Sequence, residues 1–435
     1  MQTNKQQFTT ALFKFLARYN YTLLKHLDDK FQADSFADVD LLIEEKNRPA
    51  LLAFIKDNTW VAKHSMKQMT SMMQVFLSFK DGSFLQLDLL YELIRKQHKY
   101  LENNDIFKVT TIHPQGYKTY SNQYLLEHVL LFNFLNFNAI PSKYIEYFSQ
   151  LPQKEQKALL KQLNEKYQFD FQDVKALDGY NPQYRENIIA YLKELPQNRL
   201  SKQLKRYTAY LYDKIKEAWQ VRGKIITFSG VDGAGKSTLI ELTKEQLTQK
   251  YRKKVVVLRH RPSVLPILSA WRYGKKRAEQ RAAKALPHSG DNHRGGIGSI
   301  FRFFYYYFDY LFGQFYIYAK YLARDYIVLY DRYYFDFIVD GKRSNLQVPS
   351  GLTKWLYRFI QKPALNFFLY ADVAVIRARK KELPPETIVS MTQQYQRLFE
   401  ELNLQFPKQK RYFSIENIQK KDTLNTIFRH YQTIL

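Results

Sequence analysis

A mixed α/β architecture in two parts is what the sequence predicts: a C-terminal P-loop domain with a parallel sheet flanked by helices, preceded by a small α/β domain and a helical region. Three observations predict it. An apolar run at Lys224–Ser229 feeds a glycine-rich loop and then a helical stretch. Four further short apolar segments follow, separated by helical stretches, the rhythm of a parallel sheet covered by helices. Near the N-terminus two short apolar segments carry aspartates, Asp38 and Asp40 in one and Asp88 in the other.

At 435 residues the chain exceeds one compact core, and a hydrophobic fraction of 45% argues against extended disorder. The absence of cysteine excludes a disulfide framework and thiolate metal sites. Lys14 and Arg18 interrupt the N-terminal apolar run, so no secretion signal is read and a cytoplasmic protein is expected. A formal charge of +26, from 67 Lys and Arg against 41 Asp and Glu, favours anionic partners: nucleotides, nucleic acid or an acidic membrane surface. Basic runs such as Tyr251-Arg252-Lys253-Lys254 and Lys275-Lys276-Arg277 read as solvated faces able to dock on such a surface. The aromatic stretch 301–323 carries Arg302, Asp309, Gln314 and Lys320, too many polar groups for hydrocarbon, and reads as a helix outside the membrane.

Residues 1–105 alternate helical and strand-like segments. In a strand at 38–43, Asp38 and Asp40 project to one face, and Asp88 on a neighbouring strand completes a set of three carboxylates able to share divalent metal. From 106 to 220, apolar residues recur at helical spacing, as in Leu125, Leu126, Val129, Leu130 and Phe134, with Pro141, Pro152, Pro182 and Pro196 marking breaks. The third region, 221–435, holds the predicted strands at 255–258, 326–330, 366–370 and 412–415. A loop is predicted at 286–299, where Gly, His and polar residues concentrate; His293 in it reads as solvated.

The run Gly230-Val231-Asp232-Gly233-Ala234-Gly235-Lys236-Ser237-Thr238 matches the phosphate-loop pattern between strand and helix. Its glycines let backbone N–H groups wrap phosphates, Lys236 reaches the β and γ oxygens of ATP, and Ser237 ligates Mg²⁺. Asp331 and Arg332 stand at the carboxyl end of the 326–330 strand, the edge where open α/β sheets bind ligands. Asp331 there can hold the metal shell or orient the acceptor, and Arg332 can grip an anion.

With GVDGAGKST and Asp331-Arg332-Tyr333 together, residues 221–435 resemble the thymidylate kinase family. The resemblance implies an acceptor site lined by Arg332 and Tyr333, and an arginine-rich lid that matches 377–382 and supplies Arg377 or Arg379 to the transferred phosphoryl group. Gly233 stands where some members carry a P-loop arginine, so the lid is expected to supply that charge. Thymidylate kinases carry Arg-Glu-Pro after the second strand; here Arg259-His260-Arg261-Pro262 replaces the acid with a base. Arg259, Arg261 and Arg332 are therefore expected to face one crevice as a cationic acceptor site. That departure is similar to thymidylate-kinase-like proteins associated with surface polysaccharide synthesis, and implies an anionic small metabolite or glycan precursor as acceptor. A dTMP kinase with an added domain, and a nucleic-acid-binding or regulatory protein using the P-loop as a switch, stand as alternatives.

The N-terminal segment resembles the nucleotidyltransferase superfamily, which implies a metal-holding role for Asp38, Asp40 and Asp88. Where that superfamily has a Gly-Ser turn for the triphosphate, this chain has Leu23-Leu24-Lys25-His26. Active and degenerate forms both remain open on sequence.

Overall fold

The structure is a computed structural model and describes residues 2–25, 38–219, 222–262, 297–344, 346–380, 383–405, 407 and 411–434. Two compact units divide the chain, Met1–Lys216 and Glu217–Ile434. Lys275-Lys276-Arg277, His293, Lys381 and Glu382 lie outside the described residues, as does most of the predicted 286–299 loop; residues 297–299 open a helix instead.

In the first unit, helix α1 (Asn4–Leu16) starts at Thr3, whose hydroxyl accepts from the Gln6 backbone while the Gln6 side chain accepts from the Thr3 N–H. This reciprocal cap satisfies two otherwise orphaned donors. The helix buries Phe8, Leu12, Phe13 and Leu16, one apolar stripe, against the sheet. The strands are β1 (Tyr21–Leu23), β2 (Asp38–Ile43), β3 (Val61–Gln68), β4 (Met72–Phe79) and β5 (Phe84–Leu90). A hairpin, β6 (Leu93–Arg95) and β7 (His98–Leu101), forms its own two-stranded sheet, and short strands β8 (Thr111–Ile112) and β9 (Lys118–Thr119) complete the set. The large sheet runs β3-β4-β5-β2-β1-β9-β8, with β2 and β5 parallel and Asp40 directly opposite Asp88. Helix α2 (Arg48–Lys56) follows β2, and the short α3 (Asn103–Lys108) follows β7.

A second core in this unit belongs to α4 (Asn122–Phe134), α5 (Ser142–Ser149), α6 (Gln153–Tyr167) and α7 (Pro182–Glu194). The prolines read as breaks turn out to be starters: Pro141 and Pro152 sit at N-caps and Pro182 in the first turn, where a missing N–H costs no helical bond. Helix α8 (Leu200–Trp219) follows.

The second unit is built on β10 (Lys224–Ser229), β11 (Lys254–Arg259), β12 (Tyr326–Asp331), β13 (Leu365–Tyr370) and β14 (Tyr412–Glu416), all parallel, in the order β11-β12-β10-β13-β14. Near-continuous burial along β10, β12 and β13 is the mark of a sheet covered on both faces. Thr227 donates its hydroxyl to Asn366 Oδ1 at 2.8 Å, satisfying a buried polar pair between β10 and β13. The helices are α9 (Lys236–Gln249), α10 (Ile297–Lys320), α11 (Phe335–Val339), α12 (Ser350–Leu356), α13 (Val373–Arg379), α14 (Pro385–Gln405) and α15 (Lys420–Gln432). Helix α10 buries Phe303, Tyr310 and Ile317 and exposes Phe301, Phe312 and Phe315. Among the described residues no helix is long and apolar enough to cross a membrane.

Candidate functional site

The strand order places β10 beside β12, so the loop after β10 and the Asp331 end of β12 share one edge: Phe228 pairs with Asp331, and Arg259 pairs with Asp331 from the other side. The loop leaves β10 at Gly230, φ +146, where a Cβ would come within 2.2 Å of the Leu369 carbonyl oxygen. It enters α9 at Gly235, φ +87, where a Cβ would lie 2.5 Å from Asn417 Nδ2. Only glycine fits both points, because each combines backbone crowding or a packed amide with a left-handed conformation.

Within this loop Lys236 is buried and folded back on the chain, its Nζ donating to the carbonyls of Gly230 (2.9 Å) and Val231 (3.0 Å) and lying 3.5 Å from Asp232 Oδ1. Burial, then the neighbouring Arg332 charge, lowers its pKa to about 7, against the opposing pull of Asp232. Ser237 and Thr238 are exposed in the first turn of α9, at its positive dipole end. Asn417, just after β14, donates its amide to the Ala234 carbonyl at 2.8 Å and ties the loop to the far strand.

Asp232 is the hub of the site. Arg332 Nη2 donates to its Oδ1 at 2.6 Å, and Arg343 donates to its Oδ2. Arg332 also donates through Nη1 to Asp336 Oδ2 at 2.7 Å, and Asp336 accepts from the Tyr395 hydroxyl at 2.7 Å. Burial alone would raise the Asp232 carboxyl, but Arg332, Lys236 and Arg343 hold it well below the usual carboxylate range. Burial works to lower the pKa of Arg332, and Asp336 and Asp232 outweigh it and raise it. Arg332 has φ +76, a conformation that non-glycine residues adopt at a cost of about 1–3 kcal/mol and that clusters at functional sites.

Three sequence expectations need correction. Arg261 is not an open cation: it is 8% exposed and donates to Asp309 Oδ2 at 2.8 Å, while Asp309 in α10 is fully buried. Arg332 likewise spends its guanidinium on two carboxylates, so of the three arginines expected in a cationic acceptor crevice only Arg259 is exposed. Burying a guanidinium without a carboxylate would cost several kcal/mol, and the fold supplies one to Arg261 and two to Arg332. Tyr333, expected to line the acceptor site, is a core residue whose hydroxyl donates to the Gln361 carbonyl at 2.8 Å.

The Asp331 carboxylate takes no hydrogen bond or ion pair among the described residues. Arg379, on the exposed α13, donates to the Gly233 carbonyl at 3.1 Å, and Arg377 is exposed without a partner among the described residues. Asp336, Arg343 and Asn417 carry no signal in the sequence analysis, and Asp309 figures there only as a polar residue of the aromatic stretch. Asp336 was detectable in principle, four residues after Arg332; Asp309 and Asn417 arrive from distant elements.

In the first unit, Asp40 and Asp88 do meet across β2 and β5, with Asp38 opposite Gln86. Among the described residues no group of three or more His, Cys, Asp or Glu side chains is placed to hold a metal ion. Lys25 donates to Asp40 Oδ2 at 3.1 Å, and the amides of Gln74 (3.2 Å) and Gln86 (2.8 Å) donate to Asp88 Oδ1. Lys25 belongs to the segment that stands in for the Gly-Ser turn, so the departure in sequence also supplies the cation that pairs with Asp40. Burial, reinforced by Asp40, pushes the Asp88 carboxyl up to about 6.

No family profile matches the chain, and no curated protein sequence matches it. Among solved structures, thymidylate kinase from Ehrlichia chaffeensis is similar at a TM-score of 0.32 and 18% identity, over 48% of this chain and 98% of that one.

Proposed function

We propose that the Glu217–Ile434 unit is an ATP-dependent phosphotransferase acting on an anionic small molecule. The observation that carries this reading is the loop itself, a complete phosphate cradle between β10 and α9 with a free carboxylate, Asp331, across the edge from it. Backbone N–H groups of the loop and first helical turn hold the phosphates, and Lys236 swings from the Gly230 and Val231 carbonyls to the β and γ oxygens. The exposed Ser237 hydroxyl and the Asp331 carboxylate are hard oxygen donors, a fit to Mg²⁺, which when bound would neutralise phosphate charge. Arg379, already on the Gly233 carbonyl, and Arg377 stand ready to contact the transferred group, where cationic contacts lower the barrier because charge develops there.

The acceptor is a sugar phosphate, glycan precursor or similar anion, held through Arg259 and Arg343. The buried Arg261–Asp309 pair favours a second reading, a nucleoside monophosphate such as dTMP, because Asp309 returns the acidic balance that the missing glutamate removed. The first unit, with Lys25 on Asp40, is a nucleotidyltransferase-like domain that does not use its carboxylates for metal catalysis.

Lys236→Ala is expected to lower phosphoryl transfer at least ~10²-fold, since it deletes one electrostatic contact made at the reacting phosphates. A kinetic panel of dTMP, other nucleoside monophosphates, sugar phosphates and glycan precursors decides the acceptor. Wild-type turnover by Lys236→Ala would overturn the kinase reading, dTMP as the best acceptor would select the second reading, and Mn²⁺-dependent pyrophosphate release by the variant would overturn the reading of the first unit.

A further inference from the structure

The turn between β6 and β7, the end of α4, one face of α7 and Tyr207 of α8 line an open cleft of about 400 Å³ within the first unit. Arg95, Lys96, Arg185 and Lys193 line it with His98 and Tyr207, and no carboxylate lines it. None of the four cations has an acidic partner among the described residues. Two of them are brought together by one ring: the Arg185 guanidinium lies 4.2 Å from the Phe137 ring centre and the Lys96 ammonium 5.7 Å from it.

Like charges gathered without counter-charge repel one another, and a fold keeps them together where an anion offsets the cost. A second observation points to a ligand independently of the charge. His98 is 5% exposed, and its Nδ1 has no hydrogen-bond partner; Arg185 Nε is buried and equally without one. Buried polar atoms are almost always satisfied, and both residues that carry these unsatisfied nitrogens line the same cleft. Burial, and then the charges of Lys193, Arg185 and Arg206, hold the His98 imidazole below its usual pKa, the sign of a cationic field in which the ring stays neutral.

We infer that this cleft is a binding site for a small polyanion, a molecule bearing two or more phosphate groups, held by Arg95, Lys96, Arg185 and Lys193 with His98 beside them. Its size suits a small molecule, since ligand pockets run about 300–1,000 Å³, and the bidentate geometry of guanidinium suits phosphate oxygens. Tyr207 at the rim can stack on a base or sugar. The site lies within the first unit and does not depend on the kinase reading of the second unit.

Isothermal titration of the full chain with inorganic tripolyphosphate, and in parallel with ATP, tests the inference in the Lys236→Ala background, where the phosphate loop is weakened. One equivalent of tripolyphosphate is expected to bind, and Arg185→Gln combined with Lys193→Gln is expected to weaken it at least tenfold while leaving Lys236-dependent ATP turnover unchanged in the wild-type background. Far-ultraviolet circular dichroism and a single Lys193→Gln change, expected to weaken binding severalfold, guard against misfolding of the double variant. No saturable binding in the Lys236→Ala chain, or equal binding with and without the double change, would overturn the site. Tight binding of a random single-stranded oligonucleotide that tripolyphosphate cannot displace would overturn it in favour of a nucleic-acid surface.

Discussion

Each unit carries aspartates where two parallel strands meet, yet the two edges have opposite charge balance. In the first, Asp40 and Asp88 lie opposite one another and Lys25 reaches one of them. In the second, a single carboxylate, Asp232, draws Arg332, Arg343 and Lys236. An edge with surplus cation lowers the pKa of its acid and of its lysine, and the incoming group that relieves it is an anion. An edge with surplus acid raises the pKa of the acid that has no cation, and relief comes from a proton when no metal is bound. The same residue type thus gathers three cations in one place and a single lysine in the other; the neighbours decide.

The largest effect that would break this comparison is on the second unit's framework. Asp336 is fully buried and takes Arg332 and Tyr395, so Asp336→Ala strands a guanidinium that then has only Asp232. Losing one partner of a buried ion pair costs about 3–5 kcal/mol, and the second unit should unfold at markedly lower urea concentration. An unchanged midpoint would show that Asp232 alone suffices to hold Arg332, and the hub would lose its structural weight.

A smaller effect, of opposite sign, is expected in the first unit. The Asp88 carboxyl is raised from 3.8 to about 6. The native state therefore binds its proton more tightly than the unfolded chain, and stability falls as pH rises between those two values and is level above them. Asp88→Asn keeps an oxygen to accept from Gln74 and Gln86 and removes the charge. At neutral pH it should stabilise the first unit by on the order of 1–2 kcal/mol, discounting for partial exposure, and flatten the acid limb of its pH profile. Destabilisation at neutral pH would mean that Lys25 serves both carboxylates rather than Asp40 alone.

Sequence made one site far more legible than the other. The phosphate loop is local: a strand, nine consecutive residues and a helix start carry it. The strand-end Asp331 and Arg332 were equally visible because a parallel strand delivers its last residues to a known edge. What stayed hidden was compensation from afar. Arg261 reads as a free base in its own turn, and only the fold brings Asp309 from α10, 48 positions along the chain, to neutralise it. The hairpin β3–β4 was missed because β3 is half-exposed along nearly its whole length and lacks the apolar alternation of a buried strand. Lys25 was seen as a missing Gly-Ser turn, not as a cation that would reach Asp40.

The finest test of the comparison is the proton carried by Lys236. Burial and Arg332 lower its pKa to about 7, so its charge in the free protein is expected to weaken as pH rises above neutrality. A bound polyphosphate places several anionic oxygens around the Nζ and returns the pKa toward or above the ordinary lysine value of about 10.4, so binding must take up a proton. Well above the shifted pKa, where the nucleotide phosphates are fully ionised, the expected uptake approaches one proton per ATP, and it shrinks as pH falls through that pKa. The sign follows from linkage: affinity weakens as pH climbs from about 7 toward 10, by up to about tenfold per unit. Calorimetric binding enthalpies measured in buffers of different ionisation enthalpy read the uptake directly. Zero uptake would show that the two carbonyl bonds and Asp232 keep Lys236 charged before nucleotide arrives, and the cationic surplus at the second edge would be larger, by one full charge, than the burial of this lysine implies.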